Sequence, residues 1–457
     1  MYSETVELVS ECLIRPSDLP QKAKHPFHLG PFDLAMLSVY YIQKGLLFKK
    51  PTVTNDRENS VEVLVQKLKK SLSVTLAHFY PLAGRLVTKK EESPQSYVVF
   101  IDCVNSPGAR FVHAKVNLTI SDILSPTYVP SVVESFFDHN RAINHDGQKV
   151  SLLTVQVTEL KDGVFIGCSL NHSVVDGTSY WHFFNTLSEV FMKDIGDDGS
   201  EIKRPPIHER WFPDGYGPVF SLPFTHTDQF IISRHDAPEL KQRIFQFQAA
   251  ALARLKAKAN AKCINKSTTI SSLQALAALM WRCMTRVRGL PQDQITGCKL
   301  AMNNRARLHP PLSQNYFGNC IQVVRATTTA GNLLINDFEW AALLVHKTVA
   351  EQDDKALKKF IADWMQSPSV YQPGQFFDPC SIMIGGSPRF DMFGNEFGLG
   401  KAVAIRSGCA DKFDGKVSLY PGPEGGGSMD LDICLPPHFM TALECDEEFL
   451  EGLNLYG

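Results

Sequence analysis

The fold class this sequence predicts is α/β (α+β), in two domains, each a mixed sheet with flanking helices. Three observations carry that expectation. The chain has 457 residues, too many for one ordinary core. Strand and helix patterns alternate on both sides of the midpoint. Between them, residues 193–225 hold Asp194, Gly196, Asp197, Asp198 and Gly199, then Pro205, Pro206, Pro213, Pro218 and Pro223. A polar stretch this rich in proline and glycine reads as an interdomain crossover. The expected bounds are 1–192, 193–225 and 226–457. A cleft between the halves follows, and small-molecule sites favour such clefts.

In chain order, Val61, Leu64, Val65, Leu68, Leu72 and Leu76 share one face at helical spacing. That helix should end near Phe79-Tyr80-Pro81, with Lys67, Lys69 and Lys70 on its wet side. Residues 97–101 and 111–116 read as strands. Runs 150–159 and 164–170 read as a hairpin turned by Lys161-Asp162-Gly163. In the second half, 243–247, 295–302, 380–384, 401–406, 417–420 and 429–435 read as strands. Helices are expected at 249–259, 270–285 and 336–350, the middle one apolar on most sides and therefore buried. A strand segment near 380–398 is expected to pack with the first domain. The glycines before Ser428 read as a hairpin turn, since no Lys-Ser/Thr follows to make a phosphate loop.

Composition narrows the function classes. Apolar residues make up 44% and charged residues 21%, with a net charge of −2 and no long basic run, so no nucleic-acid partner is expected. The first eight residues carry acids and no signal-type apolar core, and no uncharged stretch approaches a spanning length. Eleven cysteines lie scattered without a C-x-x-C pair, which fits a reducing compartment, and a cytosolic protein is expected.

The most informative residues are His172-Ser173-Val174-Val175-Asp176-Gly177. They sit where the apolar run 164–170 gives way to a turn, before a segment that opens with cap-type residues and becomes helical. Three readings of H-x-x-x-D-G compete. On a helix, His172 and Asp176 would share a face and could bind metal, but the strand and Gly177 oppose a helix and no third ligand is near. A core histidine beside a structural aspartate is the second. The third is a general base, a task that suits histidine because it titrates near neutrality, with Asp176 fixing its loop. Cys168 lies four residues away on a strand, sharing a face without touching, which disfavours a Cys–His pair. Trp181, Phe183 and Phe184 read as core.

Several separated blocks then become recognisable. They are Ile14-Arg15-Pro16-Ser17, residues 30–36 (GPFDLAM), residues 76–86 (LAHFYPLAGRL), the 172–177 motif, residues 304–312 (NRARLHPPL), residues 316–320 (YFGNC) and residues 396–401 (EFGLGK). With these blocks in this order the chain resembles the plant BAHD acyltransferases over nearly its whole length. The resemblance implies two chloramphenicol-acetyltransferase-like domains with a channel between them. It implies acyl-CoA as co-substrate, no permanently bound cofactor and no metal, and a small hydroxylated acceptor. It implies a cytosolic monomer with no membrane span.

His172 matches the family's catalytic histidine, and Asp176 belongs to the same catalytic motif. By resemblance Asp176 points away from the channel and pairs with an arginine of the second domain, Arg305 before Arg307. Gly177 would permit a tight turn. Phe397, Gly398, Gly400 and Lys401 match a block thought to act through structure near the CoA channel. The chain departs from the family at Asn171, where many members have histidine, and at Glu396 and Leu399, where the family has aspartate and tryptophan. It also departs at residues 386–390, so no oxyanion donor is assigned. Two other functions stay open at this point. One is a lyase that uses His172 for an elimination, and the other is a non-catalytic metabolite binder.

Overall fold

The structure, a computed structural model, describes residues 5–50, 61–193, 201–231, 238–262, 269–372, 378–409 and 412–453. Asp194 through Gly199, which the crossover reading used, lie outside the described residues. The first half supplies β1 (Glu7–Ile14), β2 (Phe27–His28), β3 (Ile42–Lys49), β4 (Arg85–Glu92), β5 (Gln95–Asp102), β6 (Ala109–Lys115), β7 (Leu153–Glu159) and β8 (Gly163–Leu170). The crossover adds β9 (Ser221–Leu222). The second half supplies β10 (Lys241–Phe247), β11 (Ile295–Asn303), β12 (Ile321–Thr329), β13 (Ser381–Gly386), β14 (Ala404–Ser407), β15 (Lys416–Pro421) and β16 (Met429–Leu435).

Two six-stranded mixed sheets result, in the orders β1-β6-β7-β8-β3-β14 and β10-β16-β15-β13-β11-β12, with a smaller sheet β2-β5-β4 that β9 joins. The expected hairpin is β7 and β8, antiparallel from Leu153↔Leu170 to Glu159↔Val164. All eight residues of β8 are buried, because it lies between two neighbours with side chains packed on both faces. Val164, Ile166, Cys168 and Leu170 face the main core, and Phe165 faces a smaller cluster. The helices Val61–His78 and Gly177–Met192 pack on the main-core side.

In the second half, the helices Ala249–Asn260, Ser272–Val287 and Phe338–Ala350 cover one face of the sheet. Trp281, fully buried there, donates to Thr296 Oγ1 at 3.0 Å. The opposite face carries Lys299, Lys416, Tyr420 and Asp432 and looks toward the first half. Lys44 of β3 reaches Tyr420 Oη at 3.3 Å, and Ser407 of β14 donates to Asp432 Oδ2 at 3.0 Å.

The exchange between halves falls further along the chain than expected. Strand Ser381–Gly386 pairs with β11 and β15 in the second sheet. It is β14 that crosses back, pairing antiparallel with β3 from Ala404↔Leu47 to Ser407↔Lys44. Within the expected segment, Met392 and Phe397 do pack into the first core. The crossover is also strapped down: β9 pairs with β5, and Ile207 bridges to Tyr316.

Among the elements that escaped the sequence pattern are β1, β3, β4, β12 and the helices Asp354–Gln366, Pro437–Leu443 and Glu447–Leu453. In β3 the apolar run is interrupted by Lys44 and Gly45. Gly45 is there because a Cβ would run into the Phe165 ring of the neighbouring strand. β12, the last strand of its sheet, reads Ile-Gln-Val-Val-Arg-Ala-Thr-Thr-Thr and is buried only at Gln322, Val324 and Ala326, so it shows neither a clean alternation nor a continuous apolar run. Among the described residues no helix is long and apolar enough to cross a membrane.

Candidate active site

His172 sits just past the end of β8, half-buried in the crevice between the halves. Its backbone is gripped from both sides. The His172 N–H donates to Asn144 Oδ1 at 2.7 Å, and the His172 carbonyl accepts from Asn319 Nδ2 at 2.7 Å. Asn171 tightens the same turn, donating through Nδ2 to the Asn144 carbonyl at 2.7 Å and accepting from Ser173 N at 3.0 Å. The asparagine that replaces the family's histidine is therefore a structural pin.

Asn319 is held in turn by Asp33, whose Oδ1 accepts from Asn319 N at 3.0 Å and Nδ2 at 2.9 Å. Asp33 also pairs with Arg210 of the crossover, Nε to Oδ2 at 2.7 Å, both side chains nearly inaccessible. Arg210 Nη2 then donates to the Val174 carbonyl inside the motif at 3.2 Å. Four chain segments far apart in sequence thus fix the turn that carries one histidine.

Asp176 caps the helix Gly177–Met192, its Oδ1 accepting from Ser179 N at 3.0 Å. The rest of the carboxylate is turned into the protein. Arg305 meets it end-on, Nη1 to Oδ2 at 2.6 Å and Nη2 to Oδ1 at 3.1 Å, and Cys320 N donates to Oδ2 at 3.0 Å. Both side chains have zero exposure. Arg305 Nη2 also reaches the Gly318 and Tyr316 carbonyls at 2.9 and 3.2 Å. Burial alone would push the Asp176 carboxyl up, but the Arg305 charge and four hydrogen bonds outweigh it and hold the carboxyl below its ordinary value. With every lone pair engaged, Asp176 neither orients the imidazole nor offers a metal ligand. Arg307 goes elsewhere, donating to the Gln352 and Val349 carbonyls at 2.6 and 3.2 Å.

Gly177 is not the turn residue the motif suggested. It is the first residue of the helix and is absent from the positive-φ positions. Its lack of a side chain makes room for Phe390, since a Cβ would stand 3.3 Å from that ring. Phe390 lies half-buried on a loop and can give way. Gly177→Ala is therefore expected to change stability by less than about 1 kcal/mol, read from the urea midpoint. A loss of about 2 kcal/mol or more would mean that Phe390 does not give way to the added methyl.

The 396–401 block forms a tight loop. Phe397 is buried among Phe48, Phe184 and Phe191, with ring centroids 5.6 to 6.1 Å away. Gly398 and Gly400 take left-handed backbone, φ +69 and +77. Lys401 Nζ donates to the Pro423 carbonyl at 2.8 Å, tying the loop to the β15–β16 turn. Leu399 packs at the margin of the first core, where the family has a tryptophan.

Chemically the site offers one base and little competition for the role. Burial pushes the Cys168 thiol well up, and Cys320 is pushed up to about 12, so neither is a ready nucleophile. His172 Nδ1, Ser173 Oγ, both polar side-chain atoms of Asn304 and Asn319 Oδ1 are buried without a protein partner. Buried polar atoms are satisfied in working proteins, so these are the places where water or substrate atoms belong. Sequence reasoning named His172, Asp176 and Arg305. It missed Asn144 and Arg210, which carry no local signal, and it quoted the blocks containing Asp33 and Asn319 without seeing their role.

Comparison with known proteins adds independent findings. A model of the Transferase family matches residues 4–450. An uncharacterized acetyltransferase of Arabidopsis thaliana is 34% identical over 98% of this chain and 99% of its own length. The BAHD acyltransferase DCR of the same plant is 32% identical over 97% of this chain and 92% of its own. Among solved structures, vinorine synthase superposes with a TM-score of 0.73 at 21% identity, covering 98% of both chains. F. sporotrichioides TRI101 complexed with coenzyme A and T-2 gives 0.71 at 19% identity, covering 93% of this chain and 98% of its own.

Proposed function

Because this chain belongs to the BAHD branch of the Transferase family and is an acyltransferase of that type, we propose that it moves an acyl group from a CoA thioester to a hydroxyl of a small plant metabolite, with His172 as general base. One observation carries the assignment of the base. Within H-x-x-x-D-G, Asp176 is wholly consumed by Arg305 and the helix cap, while His172 is clamped only through its backbone. The imidazole is left for chemistry.

In this reading His172 takes the proton from the acceptor hydroxyl as its oxygen attacks the thioester carbonyl. The tetrahedral intermediate collapses, the C–S bond breaks, and the imidazolium returns the proton to the CoA thiolate. A positioned base supplies about 10²- to 10⁴-fold, and holding two substrates together in a cleft supplies more. TRI101 was solved with coenzyme A, which supports CoA as the donor's carrier for this fold. The same reading takes the enzyme as a cytosolic monomer, with 1–192 and 226–457 as its two domains. Free thiols throughout the described residues suit a reducing compartment.

The test is a panel of CoA thioesters, from acetyl and malonyl to hydroxycinnamoyl and benzoyl, offered with mixed plant alcohols and phenolics. The expected result is acceptor-dependent release of free thiol. No release with any thioester, together with no rise in melting temperature on adding CoA, would overturn the transfer reading. Product formed from a single substrate without thiol release would point to elimination by the same base.

A further inference from the structure

Among the described residues, Asn319 makes the second half's only hydrogen bond to His172. It is buried, with 1% of its surface exposed. Both hydrogens of its Nδ2 are committed, one to the His172 carbonyl at 2.7 Å and one to Asp33 Oδ1 at 2.9 Å. The sense of this amide is fixed by its neighbour. A carboxylate only accepts, so Asp33 repels Asn319 Oδ1 and takes the NH₂ end, and the same end then meets the His172 carbonyl. An asparagine in place of Asp33 would tolerate either end.

Asp33 is itself held in place. Its Oδ2 accepts from Gly30 N at 3.0 Å and pairs with Arg210 Nε at 2.7 Å. Arg210 belongs to the crossover, lies over the Phe27 ring at 4.7 Å and donates to the Phe317 carbonyl. Gly318 leaves it room, since a Cβ there would stand 2.6 Å from Arg210 Nη1. The other side of His172 belongs to the first half, through its N–H on Asn144. The base is thus registered to one half through its N–H and to the other through its carbonyl. A substrate bound between the halves needs both, because displacing a catalytic group by about 1 Å can cost about 10²-fold in rate.

We propose that Asn319 is a positioning residue that registers His172 to the second half, with Asp33 setting the sense of its amide and Arg210 tying the pair to the crossover. The proposal rests on the acyl-transfer reading and names residues outside H-x-x-x-D-G on which the base depends. Loss of the Asn319 side chain frees only the carbonyl side of His172. Asn144 and Asn171 still hold the turn from the first half, and Asp33 keeps its bond from the backbone N–H of residue 319 at 3.0 Å and its pairing with Arg210. The deficit therefore falls on the chemical step, while the binding of each substrate is spared.

The test compares Asn319→Ala with Ser407→Ala in the full chain. The second removes a buried hydrogen bond between the halves, to Asp432, that does not involve the motif. With a thioester and acceptor that the wild type uses, kcat of Asn319→Ala is expected to fall by about 10- to 10²-fold, with KM for each substrate within about threefold of wild type. Ser407→Ala should keep kcat within about threefold, which separates positioning from a general loosening of the crevice. If Asn319→Ala folds poorly, Asn319→Ser, which keeps one donor for two acceptors, should show a smaller fall in the same direction. A second readout needs no turnover. In protein labelled with ¹³C at histidine Cε1, the His172 signal is the one missing from His172→Ala, and it should shift or broaden in Asn319→Ala and stay in place in Ser407→Ala. An unmoved His172 signal in Asn319→Ala would overturn the proposal. So would an unchanged kcat, or a loss carried by KM alone. Absence of thiol release by the wild type fails the transfer reading separately, because the histidine signal does not depend on it.

Discussion

Asp176→Asn is expected to lower stability by about 3–5 kcal/mol, visible as a large drop in the urea midpoint, before any effect on chemistry is considered. The physical reason is the partner left behind. Arg305 has zero exposure, and without the carboxylate its charge would be stranded among the Tyr316 and Gly318 carbonyls and the Ser179 hydroxyl. The helix Gly177–Met192 would keep a weaker cap through the asparagine oxygen. Replacing both partners, as Asp176→Asn/Arg305→Met, should recover more than half of the loss, because no unpaired charge then remains. The pH dependence follows from the depressed Asp176 carboxyl. Its folded-state value lies below the unfolded one, so its stabilising contribution is complete above the ordinary aspartate range, about pH 4, and fades as pH falls through the folded value. The wild type should therefore show acid destabilisation that Asp176→Asn largely lacks. If Asp176→Asn kept full stability while losing all turnover, a direct chemical role for Asp176 would replace the structural one.

His172→Ala should show the opposite signature. Its kcat/KM is expected to fall by about 10²- to 10⁴-fold, with a melting temperature within a few degrees of wild type. The imidazole makes no hydrogen bond that the fold depends on, since Nδ1 has no protein partner and both clamping bonds go to the backbone. Those backbone bonds survive the substitution, so the turn should hold its shape. Steady-state thiol release and a thermal melt on the same preparation check both halves of the expectation. Retention of more than about a tenth of wild-type kcat/KM would remove His172 from the proton transfer.

Much of this molecule is legible in the chain, and the legible parts share a cause. β7 and β8, the helices Val61–His78 and Ser272–Val287 and the strands β15 and β16 each bury a face whose period shows in a short window. The Asp176–Arg305 pair could be expected only through family resemblance, since its members are 129 residues apart. Other features have no local trace. β3 hides behind Lys44 and Gly45, because its glycine answers to a ring on a neighbouring strand. β14 belongs to the first sheet although the second half of the chain encodes it, and no periodicity records which sheet a strand will join. Gly177 looked like a turn and proved to be a space-maker for Phe390, a contact across more than two hundred residues of chain.

The sequence by itself determined that there are two α/β halves, that His172 stands at the mouth of a buried strand, and that the chain has a family's ordered blocks. Those properties depend on neighbours in the chain: apolar period, proline and glycine positions, motif spacing. Only the tertiary structure decided what holds and surrounds the histidine. Asn144, Asn319, Asp33 and Arg210 come from four distant segments and meet around one turn because the crossover and the exchanged strand fold the halves onto each other. The cavity between the halves, lined by Glu134 and Arg141 from the first and by Lys241 and Lys412 from the second, has the same origin. Its electrostatics depend on distances through space, which linear order does not encode.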